Sequence, residues 1–279
     1  MKKATAFLLV FCLIFLFGCS GKESLQETEA MPDTTEATED PIVRVTFPEG
    51  LTVTEIAEKL EKNSVCSASD FMEAVCDFES VKDSYFFTTA IENADKKAFA
   101  LEGYVFPDTY DFYRGESAAK ALSRFLSNTE KKLSQQLFDR ADELGYSMDE
   151  IITLASIIQE EAGDPKEMGK VSSVLHNRIN SPDYGRLQCD VTINYVNLFI
   201  TNSPYLKNDT SHFSELYNTY KVMGLPVGAI CCPGMDAIMA ALYPEDTDYF
   251  FFVTDKDMNY YYSSTYSEHL ENCKICGIG

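Results

Sequence analysis

The sequence predicts an α+β chain: several capped helices joined to a few short, antiparallel strands. Three observations carry this prediction. Capping signals of the form Ser/Thr-x-x-Glu/Asp precede apolar helical stripes at Thr52 with Glu55, Ser67 with Asp70 and Ser147 with Glu150. Residues 42–47 (IVRVTF) alternate and are β-branched, as a half-buried strand requires. Near the C-terminus two aromatic runs, 249–254 and 260–264, flank Asp255-Lys256-Asp257 and read as a hairpin.

Taken in order, the strand at 42–47 is followed by a helix to about Lys62, with Val53, Ile56 and Leu60 as its stripe. A second short helix carries Phe71 and Val75. Residues 78–100 match no template. Residues 101–115 (LEGYVFPDTYDFYRG) are aromatic and strand-like, interrupted by Pro107. One long amphipathic helix is expected over 118–144, with Leu122, Phe125, Leu126, Leu133, Leu137 and Leu144 on its apolar side and Gly145 as its stop. The helix opened by Ser147 ends at Gly163, and Asp164-Pro165-Lys166-Glu167 starts another to about Asn180. Residues 187–196 and 217–222 read as strands, and 235–242 as a short helix.

The N-terminus predicts export. Lys2 and Lys3 precede an apolar run, 4–17, that is too short for the roughly 20 residues of a membrane span but has the length of a signal-peptide core. The run ends in Leu16-Phe17-Gly18-Cys19, which resembles a bacterial lipobox with Cys19 as the lipidated residue; an uncleaved anchor helix is the other reading. Residues 20–41 are rich in Glu, Asp, Thr and Pro and lack the apolar surface needed to offset chain entropy, so they read as an acidic, disordered tether. The expected location is the extracytoplasmic face of the cell membrane, held there by the lipid.

The formal net charge is −21, with no basic stripe to neutralise phosphates, which argues against nucleic acid as a partner. Of nine cysteines, Cys12 and Cys19 fall in the leader, leaving Cys66, Cys76, Cys189, Cys231, Cys232, Cys273 and Cys276. An odd number leaves at least one thiol free. Cys273 and Cys276 have CxxC spacing, but no second pair completes a zinc site, and no metal is expected. His176, His212 and His269 are read as packing or surface residues, none with a partner at ligand spacing.

The candidate for chemistry lies on the helix of residues 151–162. At 100° per residue, Thr153, Ser156 and Glu160 gather on a polar side, while Ile151, Leu154, Ile157, Ile158 and Ala162 gather opposite. Glu161 falls between Leu154 and Ile157. A carboxyl against apolar surface keeps its proton to higher pH, which is what a general acid needs. A helix-end Glu can equally edge into solvent or pair with an arginine, and the wheel alone does not choose.

Seven segments, LEGYVFPDTYDF, LASIIQEEAGDP, VLHNRI, RLQCDVTINY, YNTYKVMGLPVGAI, PGMDAIMAALYP and DTDYFFFVTD, together resemble the MltG-type (YceG-like) endolytic murein transglycosylases over about 101–272. The resemblance implies that the second acidic residue of an E-x-E-T-like motif is catalytic, which is Glu161 here; Gln159 and Ala162 replace the motif's first Glu and its Thr. It implies substrate-binding roles for Gln188, Asp190 and Thr192, in a segment that reads Q-S-D-P-T-V in the family and has Val191 in place of the Pro, and for Tyr217, Asn218, Thr219 and Tyr220. Where the family often reads N-P-G, this chain has Cys232-Pro233-Gly234.

The resemblance also implies a LysM-like module at 42–77, although no closing strand is read there, followed by a catalytic domain at 78–279. It implies a lyase that closes a 1,6-anhydro ring on N-acetylmuramic acid, with no cofactor. Peptidoglycan glycan strands would be its substrate, cut near the membrane beside cell-wall synthesis enzymes. Two other readings stand beside it: a cell-wall-binding lipoprotein without activity, and a muramidase that activates water through Asp190.

Overall fold

Strand β1, Ile42–Thr46, forms where the alternation placed it and turns Val45 inward. Its partner is distant in sequence: β2, Thr109–Tyr113, runs antiparallel to it, with Ile42 opposite Tyr113 and Thr46 opposite Thr109. The exposed face of this ladder carries a two-pronged Arg44–Asp111 ion pair at 2.7 and 2.8 Å. The buried face puts Tyr110 and Phe112 with Phe47 against Phe125, whose ring meets that of Phe47 edge-on at 5.0 Å. The computed structural model from which this is drawn describes residues 40–206 and 209–278. The expected lipidation site Cys19 and the tether up to residue 39 lie outside the described residues. Among those described, no helix is long and apolar enough to cross a membrane.

Two helices, α1 (Val53–Lys62) and α2 (Ala68–Cys76), fill the connection after β1. The capping box of α1 is present in full: Glu55 N donates to Thr52 Oγ1 at 3.3 Å, and Thr52 N donates to Glu55 Oε2 at 2.9 Å. The expected boundary at residue 77 is crossed. The strand that closes β1-α1-α2 comes from 109–113, and the core of this unit continues into the rest of the chain, which is compact from Asp40 to Gly279. Residues 78–100, which matched no template, hold three isolated 3-10 turns at Phe78–Ser80, Phe87–Ala90 and Ala94–Lys96.

The long helix expected over 118–144 is two helices, α3 (Ala118–Lys132) and α4 (Gln135–Leu144). The break is at Leu133, which leaves helical geometry (ψ 77°) and is buried, while Ser134 is extended and starts α4. Gly145 ends α4 at φ 80°, a left-handed conformation that suits glycine. Helix α5 (Met148–Glu161) follows, then a 3-10 turn capped by Asp164 and helix α6 (Met168–Ile179).

Neither of the two strands expected next exists. Residues 190–195 form a short helix, α7 (Asp190–Tyr195), which runs on into a π turn at Val196–Ile200. The β-branched content of Val191, Thr192, Ile193 and Val196 favours a strand, but tertiary contacts override it. Cys189 N donates to Thr219 Oγ1 at 2.9 Å, and Thr192 Oγ1 donates back to Cys189 O at 2.8 Å, which fixes Cys189 as an extended residue at the start of α7. Residues 217–222 are folded on themselves: Lys221 N and Val222 N both donate to Asn218 O, and Tyr220 N donates to the Asn218 side chain at 2.9 Å.

After α8 (Phe213–Leu216) and α9 (Met235–Leu242), the C-terminal part is the expected antiparallel hairpin of β3 (Phe251–Thr254) and β4 (Tyr260–Ser263). A last helix, α10 (Tyr266–Ile275), packs on it with a Thr265–Glu268 capping box. The architecture is thus mixed helix with two small antiparallel sheets. Glu102 ties the two ends of this arrangement together. It is buried, accepts from Val53 N at the start of α1 and from the Tyr195 hydroxyl on α7, both at 3.0 Å, and burial pushes its carboxyl up to about 8.

Candidate active site

The wheel divides α5 into a polar and an apolar side, but every residue from Ile151 to Ile158 is buried. The side bearing Thr153 and Ser156 is covered by residues 229–232: Ile230 N donates to Ser156 Oγ at 3.0 Å, and Ser156 Oγ donates to Thr153 O at 2.7 Å. Only the last turn emerges. Gln159 accepts from Gly234 N at 3.0 Å. Glu160 and Glu161 then point to different surfaces. Glu160 lies exposed over a hollow lined by Gly50, Thr52, Glu55 and Tyr195, and burial of its inner part raises its carboxyl above the usual range.

Glu161 is half-buried and lines a separate cavity of about 350 Å³ with Arg178, Gln188, Cys189, Asp190 and Tyr220. Phe250, Phe251 and Phe252 of the β3 region form an aromatic wall. Burial pushes the Glu161 carboxyl up to about 7; a hydrogen bond from the Cys189 thiol opposes the rise, and the charges of Asp190 and Glu160 add to it. Burial and the same carboxyl push the Cys189 thiol well above its usual value, so it stays protonated and donates. The end of α5 is held from β4: the Tyr260 hydroxyl accepts from Gly163 N at 2.8 Å and donates to Glu161 O at 3.1 Å.

The other expected site residues separate into two groups. Gln188, Asp190 and Tyr220 reach the cavity, and the Tyr220 hydroxyl donates to Asp190 Oδ1 at 2.8 Å. Thr192, Thr219 and Tyr217 do not: all three are fully buried, so none can touch a ligand in the cavity. The two threonine hydroxyls lie 3.1 Å apart and clamp Cys189, while Tyr217 packs against Tyr195 in the core. Asn218 shapes the turn that presents Tyr220.

Three cavity or helix-end residues, Arg178, His269 and Tyr260, are absent from the sequence-based set. His269 does have a neighbour at ligand spacing, contrary to expectation: Cys273 Sγ, four residues on along α10, lies 3.6 Å from its Nε2. Even so, among the described residues no three His, Cys, Asp or Glu side chains stand where they could share a metal ion. Cys66, Cys189, Cys231, Cys232, Cys273 and Cys276 are free thiols.

A carboxyl that holds its proton to about 7 beside a cavity can protonate a leaving oxygen and then recover a proton as a carboxylate. The acid form is full below about pH 7 and is lost as pH rises through it. For a reaction that takes its proton from this carboxyl, kcat/KM is therefore expected to fall about tenfold per pH unit above 7. A profile flat to pH 9 would remove Glu161 as the acid.

The chain is 25% identical over 253 residues to an endolytic murein transglycosylase of Streptococcus pneumoniae (strain D39), covering 86% of this chain and 45% of that protein. It is 26% identical over 230 residues to an endolytic murein transglycosylase of Bacillus subtilis, covering 81% of this chain and 63% of the relative. The chain thus spans about half to three fifths of the length of these relatives. A crystal structure of a yceG-like protein from Listeria monocytogenes superposes with a TM-score of 0.68 at 29% identity, over 82% of this chain and 75% of that one. With the YceG-like family model matching residues 20–275, the chain belongs to the YceG-like family.

Proposed function

We propose that this chain is a peptidoglycan lytic transglycosylase that cuts glycan strands endolytically between N-acetylmuramic acid and N-acetylglucosamine. The observation that carries the reading is a single half-buried carboxyl, Glu161, raised to about 7 beside an aromatic-walled cavity. Glu161 protonates the glycosidic oxygen leaving the muramic acid. The resulting carboxylate takes the proton of that sugar's C6 hydroxyl, whose oxygen bonds to C1 and closes the 1,6-anhydro ring. The nucleophile is intramolecular, so proximity replaces an activated water, and one acid/base residue is enough. Asp190, bound to the Tyr220 hydroxyl, shares the cavity and is the one group that favours a hydrolytic alternative.

Product analysis of digested strands tests the reading. Anhydro-muramic ends are expected. Reducing ends would transfer the assignment to hydrolysis through Asp190, and intact strands would make the protein a binding lipoprotein.

Export and a lipid on Cys19 would place the site beside newly made strands and the enzymes that make them. Cys19→Ala is expected to move the protein to the soluble fraction or block its processing. Unchanged membrane fractionation would favour an uncleaved anchor. The β1-α1-α2-β2 unit stands where the resemblance expects a LysM-like module. A glycan oligomer that perturbs the amide signals of this unit would make it a sugar-binding module, and silence would make it a spacer.

A further inference from the structure

Arg178, on α6, is only 6% exposed and lines the same cavity as Glu161. Its guanidinium is held entirely by neutral acceptors. Nε and Nη2 donate to Arg186 O at 3.0 and 2.8 Å, Nη1 donates to Phe250 O at 3.0 Å, and Nη2 also donates to the Gln188 side chain. One N–H of Nη1 has no partner among the described residues. The flat cation lies over the rings of Phe251 and Tyr184 at 5.4 and 5.9 Å.

What is missing is an anion. The chain has 44 Asp and Glu against 23 Lys and Arg, yet none of the ion pairs among the described residues includes Arg178. A buried charge without a counter-charge is costly, and removing one partner of a buried pair is among the most damaging of changes. His269 joins Arg178 in this cavity. Its ring stacks on Phe251 at 5.1 Å, and its buried Nδ1 has no hydrogen-bond partner. A pin for the loop at Gln188, which sits at φ 58°, would explain the bonds to Arg186 O and Gln188. It would not explain why two basic side chains line one cavity of an acidic protein, each with a nitrogen whose hydrogen-bonding capacity no described residue fills.

We propose that Arg178, with His269 beside it, forms an anion subsite that takes a carboxylate of the glycan strand and so registers a muramic acid residue against Glu161. The inference rests on the glycan reading above. The carboxylate has two sources with shared chemistry: the lactyl group of a bare muramic acid, or the peptide stem, where the lactyl carboxyl has become an amide and the charge lies farther out. Strands of N-acetylglucosamine alone carry neither. The subsite is therefore a means of telling peptidoglycan from other β-1,4 glycans, with the fork geometry of arginine matched to a carboxylate.

The test is equilibrium binding to Glu161→Gln protein, which cannot turn over its ligand. Four oligosaccharides of equal length serve as probes: one with free lactyl carboxylates, the same with lactyl groups converted to methylamides, one with peptide stems, and a chito-oligosaccharide. The first or third is expected to bind about tenfold more tightly than the methylamide and the chito-oligosaccharide, with the gap narrowing in salt. Which of the two binds tightly identifies the source. Adding Arg178→Lys, which keeps charge but loses the fork, is expected to shrink the gap to about threefold or less, as is His269→Gln to a smaller degree. Equal affinity for all four overturns the subsite and leaves the glycan reading standing. A gap that survives in a folded Arg178→Gln protein also overturns it, because the anion would then be read elsewhere. Binding of none of the four overturns the glycan reading and the subsite with it.

Discussion

Glu161→Gln is expected to lower strand cleavage by about 10²–10⁴-fold, the range that a positioned general acid/base supplies. The amide keeps the size and the hydrogen-bonding reach of the side chain, so Cys189 and the cavity wall stay in place, but it can neither give nor recover a proton. Glu160→Gln, one residue away, is expected to stay within about threefold of the parent, because its side chain opens on the hollow beside Gly50 and Thr52 and not on the cavity. Stability supplies an independent check. The folded carboxyl of Glu161 is raised from 4.5 to about 7, so its proton-linked contribution to folding is present below 4.5 and lost as pH rises through 7. Glutamine does not titrate. Glu161→Gln protein should therefore melt no lower than the parent at pH 8. An inactive Glu160→Gln beside an active Glu161→Gln would reverse the assignment of the two carboxylates. An inactive Glu161→Gln that also melts well below the parent would leave the loss of activity a folding effect.

What could be read from the sequence is what is written locally. The capping boxes at Thr52–Glu55 and Ser147–Glu150 use contacts three residues apart, and both form as expected. The hairpin of β3 and β4 is held by Asp255, whose side chain accepts from Asp257 N and Asn259 N at 2.9 Å each. Features set by distant residues were not legible. The strand character of 109–113 was visible, but not that it closes against β1. The run from Cys189 to Val196 looks like a strand until Thr219, thirty residues on, takes the Cys189 amide. Helix α10 has a local signal, the Thr265–Glu268 box, yet it buries no residue completely, so it lacks the apolar stripe that would mark it. For the site, the wheel set Glu161 among apolar neighbours but did not choose between an acid and a solvent-facing helix end; the resemblance pointed to that residue. Arg178 gave no signal, since nothing near it in sequence distinguishes a buried guanidinium from an exposed one.

Lys97→Met is expected to destabilise the fold by about 3–5 kcal/mol, the cost typical of breaking a buried ion pair from one side. Lys97 Nζ lies 2.6 Å from both carboxylate oxygens of Asp149, and the two side chains are 3% and 8% exposed. Asp149 also accepts from the Tyr104 hydroxyl at 2.7 Å and from Glu92 N at 3.3 Å. This cluster fastens the first turn of α5 to the turns of residues 87–104, where no sheet or long helix supplies other support. The lysine stem runs against Gly228, where an added Cβ would meet it at 3.0 Å, so the packing around the pair is tight as well. Methionine fills most of that space but leaves the buried Asp149 carboxyl without its cation, with only neutral donors around it. For a unit of this size each kcal/mol moves the melting temperature by about 2–4 °C, so a fall of roughly 10 °C is expected. Asp149→Ala should fall at least as far, since it strands the lysine charge, whereas Lys97→Met with Asp149→Leu should recover part of the loss by removing both charges. Glu161 sits at the other end of α5, about 20 Å away at 1.5 Å per residue, so protein that stays folded at low temperature should keep its cleavage rate. A single variant that melts within about 2 °C of the parent would show that this pair does not hold α5 in place.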